Sequence, residues 1–211
     1  MIKKHKTALI LSTICSLLPI VIGLILWNKL PAEVPMHWNL AGEVDRWGSK
    51  ATLVFGMPSL IAAIQWLGLL ATKADPKRND IEDTKPFQIV FWFCPLLSLV
   101  MTSLCYAFAL GHDISVETIL PLFLGGTFLV IGNYLPKCKP SFTMGIKIPW
   151  TLASDENWFA THRFAGKVWM VCGAGIMLTS VLNSYVLFLV FALAMIILPI
   201  TYSYLFYRKH S

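Results

Sequence analysis

Charge is scarce in this sequence. Only 13% of its 211 residues are Asp, Glu, Lys or Arg, against roughly 25% in soluble domains. A soluble fold of this length needs a charged surface, and too few charges exist here to make one. Cysteine is sparse too: five residues, at 15, 94, 105, 138 and 172. Their number is odd, their spacing irregular, and four of them lie inside apolar runs. They read as small hydrophobes rather than as a disulfide framework. No CxxC pair, HExxH, GxSxG, P-loop or dinucleotide fingerprint occurs, so neither a metal, a cofactor nor an enzymatic activity is expected. Basic runs interleaved with aromatics are missing as well, so the net charge of +6 does not point to direct nucleic-acid binding. Finally, ionisable groups avoid the centres of the apolar runs, where Gln65 is the main polar side chain. That argues against ion-coupled transport and against an intramembrane protease, both of which need charged groups at depth.

What the sequence has instead is apolar length. Hydrophobic residues make up 56% of it, and mean hydropathy is +0.67. Six runs, 7–28, 52–72, 87–110, 115–135, 164–183 and 186–207, reach the roughly 20 residues that a helix needs to cross a bilayer. Their apolar character is continuous rather than alternating, which excludes spanning strands. The expected fold is all-α, a polytopic membrane protein of six transmembrane helices. The first run exceeds the ~7–15 residues of a signal-peptide core, so it reads as an uncleaved span. Prolines inside the spans, at 19, 58, 95, 121 and 199, are expected to act as packing kinks. No GxxxG pair marks a helix-packing face.

Lysine and arginine set an expected orientation. Fourteen fall in the N-terminus, 73–86, 136–167 and the C-terminus; three fall in 29–51, and 111–114 has none. The positive-inside rule then places both termini in the cytoplasm and 29–51 outside. The chain divides into 1–72, two spans with the outer loop 29–51, and 73–211, four spans with the cytoplasmic segment 136–166.

Two non-spanning stretches are unusually particular. The outer one, "LPAEVPMHWNLAGEVDRWGSK", is expected to pair VPMHW with EVDRW as a short hairpin around NLAG. Its Trp38 and Trp47 suit the headgroup layer. If an external peptide is recognised, His37, Trp38, Asn39 and Asp45 are the expected contacts. The inner stretch, "GIKIPWTLASDENWFATHR", crowds aromatics and charges together. Ser154 is expected to cap a helix, with Asp155 and Glu156 at its positive end. Trp158, Phe159 and Phe164 are expected to dip into the membrane interface, with Lys147, Arg163 and Lys167 reaching lipid headgroups before the chain bends into span five.

The same residues carry a resemblance. "GNYLPKCKPSFTMGIKIPWTLASDENWFATHRFAGKVWMVCG" resembles the SdpI family of bacterial membrane proteins, through GIK-x-PWTL followed by W-x-x-THR-x-x-G. The outer loop resembles the small domain of unknown function that often precedes it, through P-x-HWN-x-x-G-x-x-D. The pattern departs at Lys147, where many relatives have arginine, and at Ser141, where asparagine is common. The resemblance implies an immunity protein of the bacterial plasma membrane that protects its cell from a secreted, membrane-active toxin peptide. It also implies signalling, by holding a cytoplasmic transcriptional repressor at the membrane. On that reading Lys147, Pro149, Trp150, Thr151, Trp158, His162 and Arg163 form the inner partner surface. The alternative is a small-solute transporter or membrane-stress protein built on the same helices.

Overall fold

The computed structural model describes residues 5–39, 42–81 and 83–210, and the backbone alone of Val90. The lysines at 3 and 4 and the loop residues Leu40 and Ala41 lie outside the described residues. Among the described residues six helices are long and apolar enough to cross a membrane, so the chain is an all-α, multi-pass membrane protein. It forms two compact units: Met1–Lys73 with Val90–Val116, and Ala74–Ile89 with Glu117–Ser211.

In the first unit, α1 (Lys6–Leu26) leads into a two-stranded antiparallel hairpin, β1 (Glu33–Trp38) and β2 (Val44–Ser49). The expected hairpin is therefore present. Its ladder runs Glu33↔Ser49, Val34↔Gly48 and Pro35↔Trp47, then becomes irregular between Pro35 and Trp38. Proline has no N–H for the ladder, and the pairing slips just after it. A π-helical turn, Thr52–Gly56, then opens α2 (Met57–Ala74). Pro58 explains that turn. It has no N–H to return to the carbonyl of residue 54, and a widened turn accommodates its ring. Residues 90–109 of α4 (Lys85–Ala109) complete the unit, while the start of that helix and the four-residue α3 (Arg78–Ile81) before it belong to the second.

Gln65 is not left bare among these helices. Its Oε1 accepts from Ser16 Oγ at 2.8 Å, and its Nε2 donates to Ser12 Oγ at 2.8 Å. Ser98 donates to the Ser16 carbonyl at 2.7 Å and Tyr106 to the Pro19 carbonyl at 2.9 Å. Polar side chains without water find partners on neighbouring helices, and here they stitch α1 to both α2 and α4. The hairpin is seated on a core of Leu30, Val34, Leu53, Val54, Cys105 and Tyr106. Lys50 clamps it from the side, donating to the Trp27 carbonyl at 3.0 Å with its ammonium 4.9 Å from the Trp27 ring.

The second unit contains α5 (Val116–Tyr134), a short 3₁₀ turn, α6 (Pro149–Ala153), α7 (Asp155–Leu182) and α8 (Tyr185–His210). Glycines let α5 and α7 touch backbone to backbone. A Cβ on Gly125 would sit 2.5 Å from the Gly173 carbonyl, and one on Gly166 would sit 2.7 Å from the Gly132 carbonyl. On each helix the two glycines at the contact, Gly125 and Gly132 or Gly166 and Gly173, lie seven residues apart, a spacing that returns to one helix face. Asn183, in the left-handed conformation at φ 47°, turns α7 into α8. These two helices are then keyed by a Trp169 Nε1 bond to the Met195 carbonyl at 3.0 Å and by stacked Phe164 and Tyr202 rings, 4.4 Å apart.

Ser154 caps α7 as expected, its Oγ accepting from Asn157 N at 3.2 Å. The expected bend into the fifth span is absent. Residues 155–163 are the first turns of one unbroken 28-residue helix. At 1.5 Å per residue α7 is about 42 Å long, longer than the ~30 Å of bilayer hydrocarbon, so its polar beginning projects out of the apolar layer.

Candidate functional site

Two sites were expected, and each is built differently from its sequence appearance. On the hairpin, His37 and Asp45 face one another across the strands, His37 Nδ1 lying 2.6 Å from Asp45 Oδ1. Both are exposed. Asn39 braces the turn: its Oδ1 accepts from Glu43 N at 3.1 Å and its Nδ2 donates to Glu43 Oε2 at 3.2 Å. Trp38 behaves otherwise. It packs against the core beneath the hairpin, edge-on to Phe108 at 5.7 Å. The aromatic that the hairpin displays is Trp47, 54% exposed. The structure thus groups His37, Asn39 and Asp45 as surface polar groups, sets Trp38 as their anchor, and adds Trp47, which was expected in the headgroup layer but not among the peptide contacts.

The inner segment is a locked turn. Trp158 is fully buried, and its Nε1 donates to the Cys138 carbonyl at 2.9 Å. His162, also fully buried, is stacked on Trp158 with ring centroids 4.2 Å apart. Its Nε2 accepts from Ile146 N at 2.9 Å, so the proton sits on Nδ1, which donates to the Trp158 carbonyl at 2.8 Å. These bonds define a neutral imidazole with one tautomer. Gly145 passes over this pair at φ +104°, and a Cβ there would lie 2.5 Å from His162 Nε2. Thr151 closes the turn from α6. Its Oγ1 accepts from Ile148 N at 3.1 Å and donates to the Ile146 carbonyl at 2.7 Å.

Seven residues were expected to form the inner partner surface, and they divide in two. Thr151, Trp158 and His162 are buried and hold the turn's shape. Trp158 in particular does not dip into a membrane interface; its indole is spent on a carbonyl inside the protein. Lys147, Pro149 and Arg163 are exposed, and Trp150 is half-buried. Trp150 rests on α8, with its ring 5.1 Å from Tyr204 and 6.5 Å from Tyr207. The lysine at 147 donates to the Thr143 carbonyl at 3.1 Å, a point contact that does not need a guanidinium fork. Ser141, in place of the commoner asparagine, accepts from Thr143 N at 3.1 Å and Met144 N at 2.9 Å, so a hydroxyl makes the turn.

Two supports of this turn escaped sequence reading. Asn157 is buried between α7 and α8: Nδ2 donates to the Ser203 carbonyl at 3.0 Å, and Oδ1 accepts from Ser203 Oγ at 2.7 Å and Thr161 Oγ1 at 2.8 Å. Asp75, directly after α2, is 2% exposed. Its carboxylate accepts from Lys77 N at 2.8 Å, Phe142 N at 2.9 Å and Thr143 Oγ1 at 2.9 Å. Burial is the largest influence on this group and pushes its pKa up. The bonds from Lys77, Thr143, Phe142 and Ser141 together outweigh it and hold the carboxyl below the usual range. Among the described residues no three His, Cys, Asp or Glu side chains gather as a metal site.

Comparison with known proteins sets these two structures in one frame. Residues 137–203, containing the locked turn, match the SdpI/YfhL protein family. Residues 14–62, containing the hairpin, match a domain of unknown function, DUF1648. The chain is 26% identical over 207 residues, 95% of its own length and 96% of the relative's, to the immunity protein SdpI of Bacillus subtilis strain 168. No solved structure matches it.

Proposed function

We propose that the chain, whose residues 137–203 match the SdpI/YfhL protein family, is an immunity protein of the bacterial plasma membrane, protecting its cell from a secreted, membrane-active toxin peptide. One observation carries the reading: similarity to an immunity protein runs end to end, through hairpin and locked turn alike. The hairpin is the part we assign to the toxin. It stands on a packed base and offers a displayed indole, Trp47, beside a close imidazole–carboxylate pair. Amphipathic aromatics with nearby polar groups make effective contacts for a peptide at a headgroup layer.

The locked turn is the part we assign to a cytoplasmic partner, a transcriptional repressor held at the membrane. Its buried residues fix the corner Lys147-Ile148-Pro149-Trp150 in one shape, and a fixed shape binds without the cost of ordering a loop. The deciding experiment is challenge of sensitive cells, with and without this chain, by the secreted peptides of the strain that carries it. Protection by the intact chain supports the reading. Equal killing, together with solute-dependent growth of a deletion strain, replaces it with a transport role.

A further inference from the structure

We propose that Arg163 and Lys167 form a clamp for the phosphate of an anionic phospholipid. The two residues lie four apart on α7, hence on one stripe of the helix with their Cβ atoms about 6 Å apart. Both are exposed, and neither has a hydrogen bond or ion pair among the described residues. Phe159, 41% exposed, precedes them on this stripe; Val171, 69% exposed, and Leu178, 56% exposed, follow. The stripe thus passes from two cations directly into bare hydrocarbon side chains, the order in which a lipid presents phosphate and acyl chain.

Their depth follows from the α7–α8 hairpin. About 20 helical residues cross the hydrocarbon layer. Counted back from Leu182, they end at Arg163; counted forward from Tyr185, they end at Tyr204. The two counts agree with the packing, because Phe164, next to Arg163, stacks on Tyr202, two residues before Tyr204. Arg163 therefore sits at the headgroup border and Lys167 one turn inside it. Helical side chains lean toward the helix N-terminus, which here is the headgroup side. Lys167 consequently snorkels up toward the level of Arg163 rather than ending in hydrocarbon.

Among the described residues no acid forms an ion pair with either Arg163 or Lys167. Asp155 lies 3.8 Å from Lys77, and Glu156 is seven residues, about 10 Å along the axis, from Arg163. A guanidinium fork with a neighbouring ammonium suits one phosphate diester. Acyl chains continuing over Val171 and Leu178 make a lipid the occupant, not a free ion. This site does not depend on what the hairpin binds.

The test is native mass spectrometry of the full chain released from nanodiscs of phosphatidylcholine mixed with phosphatidylglycerol. The wild type is expected to retain phosphatidylglycerol in preference. Arg163→Gln with Lys167→Gln should lower that retention at least about tenfold, through the loss of both charge-assisted contacts, with α7 amide exchange unchanged. Arg163→Lys, which keeps the charge, should retain an intermediate amount. Inorganic phosphate at millimolar concentration should not displace the lipid. Equal retention by wild type and double variant overturns the clamp. Displacement by phosphate alone overturns its assignment to a lipid.

Discussion

At the scale of single residues, Asp75 and Gly145 decide the shape of the inner turn. Asp75→Asn removes the charge from bonds to Phe142 and Thr143 and puts an amide N–H₂ against donors. The expected loss is about 1–3 kcal/mol, local to the turn. Amide exchange should quicken at Phe142 while the middle of α7 stays protected; unchanged exchange there would show that the carboxylate is dispensable. Because its folded pKa is depressed, Asp75 contributes fully above the ordinary carboxylate pKa, near 3.9. That contribution fades only as pH falls through the lower folded value. Protection of the Phe142 amide, corrected for intrinsic rate, should therefore be equal at pH 7 and pH 5. Gly145→Ala acts differently, forcing a side chain into a left-handed backbone and against His162. A cost of about 1–3 kcal/mol should appear as a lower midpoint of thermal unfolding in detergent, followed by tryptophan fluorescence. An unshifted midpoint would mean that the turn relaxes freely.

At the scale of elements, the spans were legible and their contacts were not. Continuous apolar length is a local property, and all six runs are helices close to where they were expected. The start of α7 was legible at its cap, Ser154, but not its continuity: polar residues 155–163 look like a surface segment until the helix is seen to outrun the bilayer. The crowd of Trp158, Thr151 and His162 looked like a displayed surface. Their partners, the Cys138 carbonyl and the turn 146–148, become neighbours only when the chain folds back. Asp75 was illegible for the same reason, its partners lying 67 and 68 residues away. The α5–α7 contact was missed because a four-residue glycine spacing was sought where a seven-residue one is used. Gly166→Ala tests that contact. Its Cβ would meet the Gly132 carbonyl and the Pro136 ring at 2.7–2.9 Å. Neither can swing aside, so overpacking should cost about 1–3 kcal/mol, read as a lower unfolding midpoint. The intrahelical preference for alanine would instead raise the midpoint if α5 can retreat.

At the scale of the whole molecule, orientation is the first question. The fourteen-to-three distribution of basic residues predicts that a cysteine replacing Ala32 is reached from outside the cell and one replacing Lys139 is not, both positions being exposed. Native Cys138 cannot report this, because it is buried and its thiol is pushed up to about 11 by that burial. Labelling of intact cells by an impermeant maleimide, in a chain with its five cysteines replaced, should mark position 32 alone. Labelling of position 139 alone would reverse the topology and move the hairpin away from any secreted peptide.

The division of labour between hairpin and turn is most directly tested by survival under toxin at matched protein abundance. Sensitive cells carrying the intact chain, or the chain with His37→Ala and Asp45→Ala, are exposed to the secreted peptides of the strain that carries it. Both replaced side chains are exposed, so insertion and unfolding midpoint should be unchanged. The account predicts that the intact chain protects and that the hairpin variant loses most of that protection. Full protection by the variant would contradict recognition at the hairpin, and no protection by the intact chain would contradict the immunity role itself.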